Sequence, residues 1–497
     1  MGDRWNMADR EDLRESPGLG FLAGLRRYVE RAVVRFHTPG HRGGRWVHPG
    51  WARSVGRDAL ALDMSDVLEG PRGPGDWAGE LRRAEERAAR LFGAQASRFL
   101  VNGTSGGIHA AVFALAAGGE VLLSRASHIS VYAAATLARA TPRDAAPVYD
   151  AEWDIPGPPG AAALAESLPL RRPGLVFVTY PDYYGLAVDG RELVERARGL
   201  PVLADEAHGA HFRFCPGAPE PALEWGAAVS VQSTHKMLAA LTQASMLHVG
   251  ERGKELLGRI DRALSLFQTT SPSPLLLASL EAAAEQAAEE GRRSWARAVE
   301  LAEWARARIE RATPFRCLSP QDARERWNAR LDPARLVVNV AVAGWTGLEA
   351  ARILRHDWRV QVEMGNQRAV VLLFTPGNTA EDVERLVQAL EDLGRRRSRS
   401  RAPAALPPPG APPRRMLPWE AVSAPTAWVP LKESVGKIAA ETVCTYPPGI
   451  PVIVPGEEVT PEVVEYLEHA AARGWEMRGP AHKDAARLGV VEESGVQ

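Results

Sequence analysis

Cysteine is scarce: 497 residues contain three, Cys215, Cys317 and Cys444, far apart and without a C-x-x-C spacing. That scarcity excludes a disulfide framework or a structural zinc site as the basis of the fold, and makes a reducing cytoplasm the expected home. Long apolar runs are missing as well. None approaches the roughly 18 residues a membrane-spanning helix needs, and Asp, Arg and Glu interrupt every stretch before residue 40, so neither a span nor a secretory leader is expected. An excess of one charge is also lacking, with 60 Lys+Arg against 61 Asp+Glu and a formal net charge of -1. Such a chain has no bulk field for a polyanion, so nucleic acid and anionic membrane are not expected partners. What is present, 45% hydrophobic and 24% charged residues, is the mix of a soluble globular protein. The length suffices for two or three domains with full-sized cores.

From about residue 78, helical and strand-like stretches alternate. Glu80–Phe92 places Leu81, Ala84, Ala88, Leu91 and Phe92 at helical spacing. Gly107–Ala117 reads as a small-residue helix, and short apolar runs follow at Val121–Leu123, Leu175–Tyr180, Pro201–Ala204, Ala228–Gln232 and Ala244–Val249. This alternation predicts an α/β fold built on a mainly parallel sheet covered on both faces. Ligands of such sheets bind at the carboxyl ends of the strands. After an Ala/Glu-rich helical region from Pro274 to about Ala312, runs at Leu336–Val342, Val360–Glu363 and Val370–Phe374 alternate with helices at Leu348–His356 and Ala380–Leu393. The expected division is an N-terminal arm (1–60), a large domain (61–312), a small α/β domain (313–394), a linker (395–418) and a C-terminal domain (419–497). The linker, a basic Arg/Ser run followed by a Pro/Ala/Gly tract, reads as a solvated, disordered tether.

Three polar clusters sit just past expected strands. The first, Asn102-Gly103-Thr104-Ser105-Gly106-Gly107, opens a helix. Free N–H groups, hydroxyls and glycines at a helix start can hold an anion; a Thr/Ser cap without a ligand is the plainer alternative. The second is Asp205-Glu206-Ala207-His208-Gly209-Ala210-His211. A helicase-type magnesium acid would need a GxxxxGK[ST] loop upstream, which this chain lacks. The glycine between His208 and His211 argues against a fixed metal-binding face, which leaves a structural acid or a carboxylate serving a cofactor nitrogen. The third, Gln232-Ser233-Thr234-His235-Lys236, precedes the apolar Met237–Leu241. Lys236 is either a solvated loop cation or an amine whose pKa is depressed by apolar surroundings, as a lysine that binds an aldehyde requires.

Taken in order, an anion-binding helix start, a strand-end Asp and Ser-x-His-Lys resemble the layout of fold type I enzymes that use pyridoxal 5′-phosphate. The chain more closely resembles the Orn/Lys/Arg decarboxylase family of these enzymes, from about residue 20 to 490. The motifs are Phe-His-Thr-Pro-Gly-His-Arg-Gly-Gly (36–44), Val-Asn-Gly-Thr-Ser-Gly-Gly (101–107), Asp-Glu-Ala-His-Gly-Ala-His-Phe (205–212), Gln-Ser-Thr-His-Lys-Met-Leu (232–238), Leu-Thr-Gln-Ala-Ser-Met-Leu-His-Val (241–249), Gln-Thr-Thr-Ser-Pro-Ser (268–273) and Tyr-Pro-Pro-Gly-Ile-Pro (446–451).

The resemblance implies a fold type I large domain, a small α/β domain and a C-terminal α+β domain, and decarboxylation of arginine, lysine or ornithine to the amine, with arginine favoured. It implies that Lys236 binds the cofactor aldehyde and that Asp205 holds its ring nitrogen protonated. Thr104, Ser105, Gly106, Ser233 and His235 would hold the phosphate. His128 would stack on one ring face, Ala207 on the other, and His208 would lie beside ring and substrate. Thr270 would reach the phosphate of a neighbouring subunit, which implies a homodimer with shared sites. His37 and Tyr446 are candidates for the substrate pocket or the dimer seam, and Glu457 for the partner of the substrate's distal cation. The chain looks like the shorter form of the family, without the N-terminal wing of the large inducible enzymes. It departs from the family at Pro181-Asp182-Tyr183-Tyr184-Gly185, where the second position is usually Thr, and at His128-Ile129-Ser130, where His-Lys-Ser is usual. The alternatives are an aminotransferase or carbon–sulfur lyase of the same fold, which would clamp the α-carboxylate with an arginine such as Arg368, and a non-catalytic relative, against which Asp205 and Lys236 argue.

Overall fold

The computed structural model describes residues 19–65, 77–168, 174–396, 404–446, 449–479 and 486–492. Its first sheet has seven strands: β1 (Ala96–Leu100), β2 (Glu120–Ser124), β3 (Thr141–Ala145), β4 (Gly174–Thr179), β5 (Val202–Asp205), β6 (Val229–Gln232) and β7 (Ser245–Val249). They lie in the order β1-β7-β6-β5-β4-β2-β3. The β3-β2-β4-β5-β6 run is parallel, and β7 is antiparallel to both of its neighbours. Strands such as β5 and β7 are buried at every position, which is why they appear in sequence as continuous apolar runs rather than alternating ones.

Each face of the sheet is packed. On one side, helix α3 (Gly103–Ala116) sets Ile108, Val112 and Leu115 against Leu123, Phe177, Leu203 and Val231. On the other, Val176, Val178 and Ala204 meet Leu193, Phe212 and Trp225. Two earlier helices, α1 (Gly20–Glu30) and α2 (Trp77–Phe92), join a further cluster with Phe21, Leu25, Ala88 and Trp295. The buried carboxylate of Glu281 anchors α1 by accepting from the Phe21 and Leu22 amides at 3.0 and 2.9 Å. Two further helices follow the first motif: α4 (Ile129–Leu137) after β2 and the one-turn α5 (Thr234–Met237) after β6. A longer helix, α6 (Leu257–Phe267), lies against α3.

The Ala/Glu-rich region is one helix, α7 (Pro274–Ala312), of 39 residues. At 1.5 Å per residue it is about 58 Å long, enough to serve two cores. Leu277, Leu280 and Trp295 belong to the cluster that holds Phe21 and Leu25, whereas Ala302, Ala305 and Ile309 belong to the core of the second sheet. That sheet runs β8 (Arg316–Cys317), β9 (Arg335–Asn339), β11 (Ala369–Leu373), β10 (Met364–Gly365), all antiparallel. Helices α8 (Gly347–Trp358) and α9 (Ala380–Arg396) cover it. The strand expected at Val360–Glu363 is corrected to Met364–Gly365. Arg359 turns left-handed to end α8, and the following residues form a connection in which Val362 is buried without belonging to the ladder.

The C-terminal unit pairs β12 (Thr426–Pro430) with β16 (Arg487–Val491) and forms a second ladder, β14 (Ile450–Ile453), β13 (Val443–Tyr446), β15 (Glu476–Arg478), packed on α10 (Pro461–Ala472). The expectation of a disordered tether at 395–418 is corrected for the described residues of that span. Helix α9 continues through Arg395 and Arg396, and Leu406 and residues 413–417 are hydrogen-bonded to other segments or to the turn that follows; 397–403 lie outside the described residues. Leu406 exchanges two bonds with the Gln367 side chain, and Arg415 and Met416 donate to Gly456 O. Composition hid this because the anchoring groups belong to other segments.

The packing of α3 on the sheet gives a direct test. A Cβ at Gly107 would lie 2.7 Å from both Leu100 Cδ1 and Val231 Cγ1. Gly107→Ala is expected to cost about 1–3 kcal/mol by overpacking, read as a lower urea midpoint.

Candidate active site

The carboxyl ends of the parallel strands converge on one cluster. β5 ends at Asp205, paired between Thr179 of β4 and Val231 of β6. β6 runs directly into α5, which carries Lys236. The Lys236 amine lies 3.1 Å from His208 Nε2. Burial lowers its pKa, Asp205 and Glu363 oppose the shift, and Arg335 adds to it. Burial raises the Asp205 carboxyl to about 6, against the pull of Lys236, and the Ala207 amide donates to it at 3.2 Å.

Three histidines surround this pair. His208 is held well below the usual imidazole range by burial, with Lys236 and Arg335 adding to it. His128 is lowered to about 4, again by burial first and Lys236 second; its Nδ1 accepts from the Ser130 amide and so caps α4. His235 is bonded through Nδ1 to Ala244 O and lowered by burial. Thr104 Oγ1 and Ser233 Oγ stand 3.2 Å apart, facing each other across the first turn of α3 and the cap of α5. The Asn102 side chain makes no cap bond at α3, and a Cβ on Gly103 would meet nothing within 4 Å. The helix start with Thr104, Ser105 and Gly106 is therefore open to an anion.

Two groups that sequence reasoning passed over complete the cluster. Tyr183 packs edge-on to His208 at 5.6 Å, and its buried hydroxyl has no partner. Arg335, at the head of β9, is wholly buried; its Nη1 donates to Tyr183 O at 3.2 Å and its Nη2 to His208 Nδ1 at 3.4 Å. Asp332 lies 3.9 Å from Arg335 and accepts from His211 at 3.1 Å. Burial works against the Asp332 charge, but His211 and Arg335 hold its carboxyl below the usual range. The only sign of Arg335 in the sequence was an arginine adjoining an apolar run. Arg368, the other arginine considered, bears on Asp154 instead. Glu206, next to Asp205, is a buried structural acid that accepts from Ser230, Gln232 and the Ala222 amide.

The remaining expected residues fare differently. Thr270 is exposed in this chain. His37 is bonded to Tyr28 in the N-terminal segment. Tyr446 lies under the Arg478 guanidinium at 3.5 Å and bears electrostatically on Tyr183. Pro447 and Pro448 lie outside the described residues, but Gly449 O accepts from the Ile129 amide, and a Cβ on Gly449 would lie 3.6 Å from His128 Cδ2. The end of this turn therefore rests against His128. The assignment of Glu457 to a substrate cation is corrected. Glu457 is fully buried and bidentate to Arg125 at 2.7 and 2.9 Å, with Arg414 at 3.3 Å and the Val454 amide also donating to it. Its charge is already neutralised and it is closed to a ligand.

Arg125 stands three residues before His128, and through Glu457 it ties the loop carrying that histidine to the C-terminal unit. The Orn/Lys/Arg decarboxylase major-domain model matches residues 20–382 and the C-terminal-domain model residues 410–483. The chain belongs to the Orn/Lys/Arg decarboxylase family. This family carries out pyridoxal-phosphate-dependent decarboxylation of basic amino acids. Among relatives, the arginine decarboxylase of Bacillus subtilis is 33% identical over 95% of this chain and 97% of its own length. That of Halalkalibacterium halodurans is 32% identical with the same coverage. The Pseudomonas aeruginosa lysine decarboxylase LdcA is 33% identical over 53% of this chain and 40% of its own. Among solved structures, the Escherichia coli constitutive lysine decarboxylase superposes with TM-score 0.80 at 22% identity, over 98% of this chain and 84% of its own. A serine palmitoyltransferase (SPT) structure with PLP superposes with TM-score 0.51 at 18% identity, over 69% and 84%. These likenesses show the decarboxylase fold to be fold type I. Among the described residues no helix is long and apolar enough to cross a membrane.

Two predictions follow from the buried charges. Glu457→Ala leaves Arg125 buried with less compensation and is expected to cost about 3–5 kcal/mol, read by urea unfolding. Burial raises Glu206 from 4.5 to about 7. A carboxyl raised in the folded state stabilises when protonated, so this contribution is full below about 4.5 and is lost as pH rises to about 7. Glu206→Gln is expected to flatten the fall in stability across that window, by on the order of 3 kcal/mol.

Proposed function

We propose that this family member is a cytoplasmic arginine decarboxylase acting as a homodimer, with pyridoxal 5′-phosphate bound at Lys236. The observation that carries the reading is the half-buried Lys236, its amine beside His208, one strand from the buried Asp205. The residues fit the cofactor. Asp205 is a buried carboxylate of the kind that can hold a proton on a ring nitrogen, and the start of α3 offers Thr104, Ser105 and Gly106, with Ser233 and His235, to a phosphate. His128 and Ala207 would take the two faces of the ring. Arginine is favoured over lysine and ornithine because relatives named arginine decarboxylase match at 32–33% identity over 95% of the chain, whereas those named lysine decarboxylase match either about half of it or, over 89%, at 25% identity.

When bound, the cofactor supplies an electron sink for the pair left when carbon dioxide departs. The chain's own residues do the rest. Asp205 fixes the charge of the ring nitrogen. Lys236, whose burial favours the amine, would hold the cofactor aldehyde and, with a proton taken from the substrate's ammonium, would be the donor to Cα. Tyr183 and His208 wall off the reacting carbon and exclude water. With Glu457 committed to Arg125, Glu363 is the exposed acid whose field reaches Lys236, and we assign it to the distal guanidinium. Thr270 and Leu266 are exposed, and we assign them to the surface that faces a second subunit.

Arg335 is a small-domain arginine of the kind the transaminase alternative requires. Its two terminal nitrogens are already engaged by Tyr183 O and His208, and it is fully buried. Only its Nε lacks a partner, so a carboxylate could take its fork only by displacing Tyr183 O or His208. Incubating the purified holoenzyme with arginine, lysine and ornithine separately tests the assignment. Carbon dioxide and agmatine from arginine are expected, with turnover abolished in Lys236→Ala and KM for arginine raised at least tenfold in Glu363→Gln. A keto acid without carbon dioxide would overturn it.

A further inference from the structure

We propose that Arg335 is a positioning residue that fixes the tautomer of His208 and thereby keeps the Lys236 amine unprotonated. A guanidinium has five N–H donors and no acceptor. Where Arg335 Nη2 meets His208 Nδ1 at 3.4 Å, the imidazole nitrogen is therefore the acceptor and carries no proton. His208 is buried and held in its neutral form, so its single proton resides on Nε2. That Nε2–H points at Lys236 Nζ, 3.1 Å away. An ammonium cannot accept a hydrogen bond, whereas an amine can. The contact is favourable only when Lys236 is neutral, and Arg335, His208 and Lys236 form a chain of donors running one way.

The chain is anchored behind Arg335. Asp332 accepts from His211 and from the Ala334 amide and lies 3.9 Å from the guanidinium, while Tyr183 O takes its other terminal nitrogen. Arg335 meets His208 directly, and Asp332 acts behind it. The charged and titratable groups bearing on Lys236 are Asp205 and Glu363, which favour the ammonium, and Arg335, which disfavours it. The fields of His128, His208 and His235 couple to Lys236 in the same opposing sense. The same buried guanidinium thus acts twice, by its field and by the tautomer it imposes. The consequence for catalysis rests on the reading of Lys236 as the cofactor lysine; the tautomer itself does not.

The test uses cofactor-free, full-length protein labelled with ¹⁵N-histidine. Long-range ¹H–¹⁵N spectra, with His208 assigned through His208→Gln, are expected to show a protonated Nε2 and a bare Nδ1. A bare Nε2 in the wild type overturns the proposal without any variant that must fold. The second arm follows the pH dependence of pyridoxal 5′-phosphate capture by absorbance. Arg335→Met is expected to release the tautomer and raise the capture midpoint by about one pH unit or more; Arg335→Lys, again a donor without an acceptor, is expected to restore both. An unchanged midpoint or tautomer in Arg335→Met overturns the role given to Arg335. If no form of the protein captures the cofactor, the reading of Lys236 fails, and the wild-type tautomer still decides the proposal.

Discussion

The amine of Lys236 is withdrawn from water at the carboxyl end of a parallel sheet, where desolvation of a cation is costly unless its charge is matched or removed. The surroundings do both in part. Asp205 and Glu363 draw it toward the ammonium, while burial and Arg335 push it toward the amine. Burial lowers each of the three nearby histidines, and each feels Lys236. In the proposed reaction this is the balance a nucleophilic amine needs, and it depends on elements far apart in sequence. Asp205 ends β5, Lys236 follows β6, and Arg335 heads β9 of the second sheet.

The second sheet and the C-terminal unit therefore bear directly on the site. Helix α7 places residues in two cores, which fixes β9, and with it Arg335, against the first sheet. On the opposite side, the Arg125–Glu457 pair locks the loop leading to His128 onto the C-terminal unit, while Gly449 rests against the histidine ring. A buried, bidentate ion pair adds little net stability over an apolar replacement, but it tolerates only one arrangement of its partners. Its place three residues from His128 suits a role in register between units.

Much of this was legible in the sequence because the residues cluster at strand ends. Thr104, Asp205, His208, Ser233 and Lys236 lie in short motifs after apolar runs, and strand ends in a parallel sheet converge. The structure brings these together. Arg335 was not legible, since its significance lies in contacts with Tyr183 and His208, 152 and 127 positions away. Glu457 was misjudged for the complementary reason: an acid beside a Pro/Gly turn looks exposed, and only the fold shows Arg125 already bonded to it. Leu406, Arg415 and Met416 show the same limit, because they are held by Gln367 and Gly456 rather than by the composition of their own segment. Within one chain Thr270 is exposed and His37 is bonded to Tyr28, and the proposed role of Thr270 is tied to a second subunit.

The most direct test of the account is chemical. Holoenzyme is treated with borohydride, which fixes a cofactor imine as a stable secondary amine, and is then digested and mapped by mass spectrometry. The account predicts one phosphopyridoxyl adduct, on Lys236. An adduct on another lysine, or protein that holds the cofactor yet gives no adduct at Lys236, would contradict it.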